Sequence, residues 1–417
     1  MISMETIPDG KQRLYYLDWL RVLAFSLLII SNSARVFGEE KWWMQNFVTN
    51  VEIDYVLTFF GQWRMPLLFL VSGATIAIVM HRKSLSQFID DRFIRILIPL
   101  IAGMLLVIPP QIYYIWLAEG YTHSFSQFYS GILGLKWFPE GNFHWLHLWY
   151  LAFVFIFTLI ILPFLGLLRS EGTQKSLNSL ARLLCNPALL FASVLVFQIP
   201  YYIVNSMQPN GNLASLAYYF PFFIFGVLFL TRNYVSESIK LNRKMALSLG
   251  VVFTVLLYCF FWYKSSDGPT LFSTGLPGII DQKIKLMAVS LNQWFWLIAI
   301  TGYAHQYLNF GHKALTYANT AVYPFYILNQ TVIVILAYYV ISLDIPIVSK
   351  FFIILAGTFI LIGILYEAVL KRSTISKLLF GIKTNLEIIN PFLRSAKYVK
   401  QLSFSFVKSR RNPDDRK

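Results

Sequence analysis

The chain has 417 residues, 57% of them hydrophobic and only 13% charged, with a mean hydropathy of +0.58. A soluble chain would carry roughly a quarter charged residues, and apolar runs longer than about eighteen residues recur here, so the sequence reads as an all-α polytopic membrane protein. The short alternating segments of a β-barrel are missing, and the net charge of +15 follows a topology pattern that excludes nucleic acid as its reason.

The first run, residues 14–37, is long enough to span a bilayer yet carries Asp18, Arg21, Asn32 and Arg35. A charge in a spanning helix costs a few kcal/mol on insertion scales, so it faces a partner or a wet cavity. Arg21 and Asn32 are eleven residues apart, about three turns, and point nearly the same way. The run is too long for a signal peptide and is read as a retained helix.

Ten spans are expected, near 15–37, 51–80, 96–118, 144–168, 188–206, 213–231, 245–263, 288–308, 318–342 and 349–371. With the N-terminus inside, the cytoplasmic segments hold 26 of the 35 Lys and Arg residues. The positive-inside rule therefore puts both termini in the cytoplasm. Residues 1–14 form a cytoplasmic N-terminus, 15–371 the ten-helix domain, and 372–417 a basic cytoplasmic tail able to touch anionic lipid headgroups. The outside loops 119–143 and 264–287 are rich in Gly, Pro and aromatics, which suits loops folding back over a cavity.

Several polar groups then need a reason. In the second span Pro66 and Gly73 predict a kinked or interrupted helix, with Arg64 beside the kink either lining a cavity or snorkelling outwards. Arg92 and Arg95 share a helix face in a basic amphipathic connection and can clamp phosphates or serve only as positive-inside charge. His144 and His147 sit at i, i+3 where the fourth span begins. No carboxylate or cysteine set completes a metal site around them, so no metal is expected. The readings left are substrate contact, catalysis or an interfacial belt. Asn329 and Gln330 place amides inside the ninth span. Cys185 and Cys259 define no disulfide or redox motif.

Nucleotide-binding glycine loops, HExxH, GxSxG and HxxxxD are all absent, so the residues alone give a ten-span protein with a polar interior and no reaction.

Five segments in order resemble the acyltransferase family 3 membrane proteins, most nearly the glucan-biosynthesis C type that succinylates periplasmic glucans: YLDWLRVLAF (16–25), WRMPLLFLVSG (63–73), RFIRILIPLIAGM (92–104), HLWYL (147–151) and YPFYILNQTVIV (323–334). The resemblance implies a ten-helix unit in the bacterial inner membrane that takes an acyl group, of acetyl or succinyl type, from cytoplasmic acyl-CoA. It passes the group to a hydroxyl of an outward-facing glycan or other cell-envelope acceptor. Acyl-CoA is then a donor substrate, and no bound cofactor is implied. Arg21 matches the family's first-helix arginine, and Arg92 with Arg95 match its RxxR donor pair.

The sequence departs from the family at two points. The catalytic histidine expected ten residues after Arg21 is Asn32, and the YILHQ of near relatives is YILNQ, with Asn329. An amide cannot take a proton as imidazole does. Three readings stay open. In one, Asn32, Arg21, Asp18 and Asn329 orient the reactants while His147 accepts the proton, and Arg64, Arg35 and His144 meet the acceptor. In the second, an impaired relative binds or passes a lipid or glycan. In the third, the interior is a transport path.

Overall fold

The computed structural model describes residues 13–207, 211–259 and 276–382, with the backbone alone for 276–283. Most of the expected cytoplasmic N-terminus, the first half of the 264–287 loop and the basic tail past residue 382 lie outside the described residues. Within them there is no β-strand, only one bridge between Trp137 and Phe143. Among the described residues nine helices are long and apolar enough to cross a membrane, in keeping with the composition.

The spanning helices are α1 (Tyr15–Arg35), α2 (Val51–Arg82), α3 (Leu85–Ala118), α4 (Leu146–Arg169), α5 (Pro187–Met207) and α6 (Asn212–Leu230). They continue with α8 (Ile284–Tyr307), α9 (Lys313–Val340) and α10 (Ile347–Leu370). The expected seventh span corresponds to α7 (Arg243–Leu257), whose expected end lies outside the described residues. Helix α1 packs against α2, α8, α9 and α10. Its polar face is therefore enclosed by protein, while α10 and α5 turn most of their surface outward.

Prolines explain much of the interior wiring. A proline inside a helix frees the carbonyl four residues earlier, and in a bilayer that carbonyl needs another donor. Pro66 frees Gln62, whose carbonyl accepts from the Gln293 side chain. Helix α2 consequently runs unbroken through Pro66, where the sequence left an interruption open. Pro99 frees Arg95, whose carbonyl accepts from the Tyr323 hydroxyl at 2.8 Å. Pro109 frees Leu105, bonded by Tyr129 at 2.9 Å.

Two further features position the polar groups. Ser84 and Gln87 form a reciprocal capping box, so α3 starts at Leu85 and the basic connection is continuous with the span. Gly73 and Gly226 let α2 and α6 touch: a Cβ on the first would strike the Phe223 carbonyl, and one on the second the Leu70 carbonyl. Small residues at such crossings are how membrane helices gain packing without a hydrophobic driving force.

Candidate active site: two polar cavities along the first helix

Two cavities lie along α1, about 16 Å apart by the rise between Arg21 and Asn32. The first, about 220 Å³, is lined by Arg21, Ser72, Thr75, Arg92, Arg95 and Tyr150 among others. The second, about 690 Å³, is lined by Asn32, Arg35, Arg64, His144, His147 and Trp149, with Trp42 and Trp43 at its side. Nine residues before the second histidine, Phe138 of the 119–143 loop also reaches this cavity, so that loop does fold back over it.

The first cavity is strongly basic, and its cations are held by two acids, Asp18 and one the sequence reading passed over, Asp91. Asp91, almost wholly buried, receives Lys83, Arg92 and Arg95, each at 2.8 Å. Part of the signal was present in the sequence, since an acid four residues before an arginine, as Asp91 is before Arg95, favours pairing on a helix. Arg21 donates to Thr75 at 2.5 Å and Asn319 at 3.3 Å, and meets Asp18 at 3.5 Å. Asp18 also receives Asn319 at 3.1 Å and Arg13 at 2.7 Å; it braces Arg21 without lining the cavity. At about 220 Å³ the cavity is smaller than a whole drug-sized site.

The second cavity carries the groups suited to chemistry. His147 Nε2 lies 2.8 Å from the Ile327 carbonyl. A carbonyl can only accept, so Nε2 holds the proton. Nδ1 is then a free lone pair, and it is buried with no partner. His144 Nδ1 accepts the Leu146 N–H at 2.7 Å, which fixes the same tautomer, with the proton on Nε2. Between the two histidines Leu146 sits at φ +34°, a left-handed conformation costing about 1–3 kcal/mol. That turn brings both rings to one cavity. His144 lies before the span, and burial holds its imidazole below the usual 6.5.

Asn32 lines the cavity and donates to Asn329 Oδ1 at 3.1 Å, while Asn329 donates on to the Tyr326 carbonyl. Asn329 is fully buried behind Asn32 and does not line the cavity. Its neighbour Gln330 does, because consecutive helical residues diverge by about a quarter turn. The two cavities are parted by Phe25, Tyr150 and Tyr326, whose ring centres are 4.9 to 5.8 Å apart. Tyr150 shares a hydrogen bond with Ser72 at 2.5 Å, and Tyr326 donates to the His147 carbonyl at 2.5 Å. No group of metal-ligating side chains occurs among the described residues.

An enclosed helix with a polar cavity at each end and an aromatic barrier between them marks a multi-pass membrane protein with a polar interior. The chain belongs to acyltransferase family 3, whose acyltransferase domain matches residues 14–367. It is similar to the glucans biosynthesis protein C of Shigella dysenteriae serotype 1 (strain Sd197), 21% identical over 391 residues, or 90% of this chain and 96% of the relative. The protein of that name from Escherichia coli O139:H28 (strain E24377A / ETEC) is 22% identical over 392 residues with the same coverage. No solved structure matches.

Proposed function

We propose that the protein is an O-acyltransferase of the bacterial inner membrane. It takes an acyl group from cytoplasmic acyl-CoA at the Arg92 cavity and transfers it to a hydroxyl of a glycan or other envelope acceptor in the Trp149 cavity. The distribution of Lys and Arg supports this orientation, with both termini cytoplasmic and Arg92 on the inner side. Arg21, Arg92 and Arg95 offer bidentate donors for the phosphates of the donor. Trp42, Trp43 and Trp149 offer flat apolar faces for a sugar ring.

The observation that carries the reading is the unpartnered Nδ1 of His147, a residue that lines the Trp149 cavity. With Nε2 tied to the Ile327 carbonyl, Nδ1 is unprotonated and able to take the hydroxyl proton. The hydroxyl oxygen bonds to the thioester carbonyl carbon, and the carbon–sulfur bond breaks. The thiolate then leaves and collects a proton. Asn32 orients the reactants from the place where the family has a base. The tyrosines and Phe25 between the cavities exclude water from the thioester.

His147→Gln tests it, because the glutamine Nε2 can keep the bond to Ile327 while the base is lost. Transfer from acyl-CoA should fall about 10²–10⁴-fold with the fold intact. Undiminished transfer would remove His147 as the base. One observation favours a second reading, a binding protein without catalysis: both expected histidines are replaced by an amide pair satisfied within itself. No turnover in either the parent or Asn32→His, with acyl-CoA still bound, would establish that reading.

A further inference from the structure

Arg64 is 95% buried by its 5% relative exposure, lines the Trp149 cavity, and makes no hydrogen bond or ion pair among the described residues. Its Nε and Nη1 are both buried without a partner. The other buried cations are treated differently. Arg232 donates to the Leu228 carbonyl, to Gln174 and to Asn178. Lys350 donates to Asn46 at 3.2 Å and to the Ile341 carbonyl at 2.7 Å. Arg92 has Asp91 at 2.8 Å. A buried charge without partners is strongly unfavourable, and among the described residues the other fully buried cations, Arg232 and Lys350, each have hydrogen-bond acceptors.

The surroundings make the imbalance larger. Arg35 and Lys41 line the same cavity, no Asp or Glu does, and the charge of Arg35 bears directly on Arg64. A low-dielectric pocket lined by one sign of charge concentrates ions of the other sign. The tryptophans beside it add flat apolar surface. Gly61, one turn before Arg64, faces open space within the cavity.

We propose that the Trp149 cavity is an anion site, and that Arg64, supported by Arg35, makes the protein selective for a carboxylate or phosphate held beside the hydroxyl to be acylated. The guanidinium fork matches either anion bidentately. The acid comes from an acidic sugar of the acceptor or from the free end of a dicarboxylic acyl group. The proposal rests on the Trp149 cavity being the acceptor side, and it is tested without any transfer.

Binding of glucose, glucuronate, glucose 6-phosphate and monomethyl succinate to the purified full-length protein in detergent, with no donor present, reads the site directly. At least one acidic probe should bind ten or more times tighter than glucose. Arg64→Gln should abolish that preference, and Arg64→Lys should keep part of it. Preference for an acidic sugar places the charge on the acceptor; preference for monomethyl succinate places it on the acyl group. Gly61→Leu should weaken binding of the acidic probes by crowding the cavity wall one turn from Arg64. Equal binding of glucose and all acidic probes by the parent protein would overturn the proposal with no variant needed, as would an Arg64→Gln protein that keeps the preference. Anion binding that survives in a protein found to transfer nothing would overturn the acyltransferase reading and leave the anion site standing.

Discussion

Asn32 and Asn329 are joined by a single 3.1 Å hydrogen bond across the interface of α1 and α9, at the two positions where the sequence departs from its family's histidines. Asn329 is committed on both sides, accepting from Asn32 and donating to the Tyr326 carbonyl. The oxygen and the second N–H of Asn32 remain for a substrate. In Asn32→His an imidazole can hold the same amide with one nitrogen and offer the other to the cavity. Acyl-CoA turnover should rise about tenfold or more, within the range a positioned base supplies. Asn329→Ala should instead lower thermal stability, because the Asn32 amide and the Tyr326 carbonyl lose their partner at about 1–3 kcal/mol for a buried group. Unchanged turnover in the first and unchanged melting in the second would show the pair to be inert.

Asp91 gathers Lys83, Arg92 and Arg95, so the proposed donor clamp is preorganised by an acid behind it. Asp91→Asn leaves three cations facing one another, and breaking a buried ion pair from one side costs about 3–5 kcal/mol. Free coenzyme A, bringing its own phosphates, should restore more of the melting temperature in this variant than in the parent. Arg92→Gln with Arg95→Gln should weaken coenzyme A binding about tenfold or more while leaving sugar binding in the Trp149 cavity unchanged. Calorimetry with each ligand separates these outcomes, and equal losses for both ligands would mean general misfolding.

Much of this was legible in the sequence, and the remainder has a physical reason for being hidden. Hydropathy placed the spans because a bilayer demands about 20 apolar residues per helix. Helical spacing put Arg21 and Asn32 on one stripe, and the structure gives each its own cavity. What the sequence could not supply were partners distant in the chain. Tyr323 meeting the carbonyl freed by Pro99, Gln293 meeting the one freed by Pro66, and Asn319 bracing Arg21 depend on which helices touch. The free end of His147 was hidden for the same reason, since it is defined by Ile327, 180 residues away.

The crossing of α2 and α6 tolerates no side chain at Gly73 or Gly226, since a Cβ at either meets backbone that cannot move aside. Gly73→Val should force the helices apart and displace Ser72, hence Tyr150 and the barrier between the cavities. Overpacking of this kind costs about 1–3 kcal/mol. Gly363→Ala is the control, because a Cβ there meets nothing and alanine is the better helix former. Melting in detergent should fall for Gly73→Val and hold or rise for Gly363→Ala. Equal melting of the two variants would show that the close approach does not matter.

His144 sets a pH limit on the loop over the Trp149 cavity. Its Nδ1 accepts the Leu146 N–H at 2.7 Å, a bond that protonation destroys, and burial holds the imidazole below its ordinary 6.5. Between those two values the unfolded chain binds more protons than the folded one, so stability rises with pH across the window. The contribution is complete above about 6.5 and is lost as pH falls through the folded value. His144→Asn can keep an acceptor two residues before the Leu146 N–H without a titrating group. Melting should therefore drop between pH 7.5 and 5.5 in the parent and drop less in the variant. Parallel pH profiles for the two would mean that His144 does not titrate in this range, and that the turn before α4 is held by Leu146 packing alone.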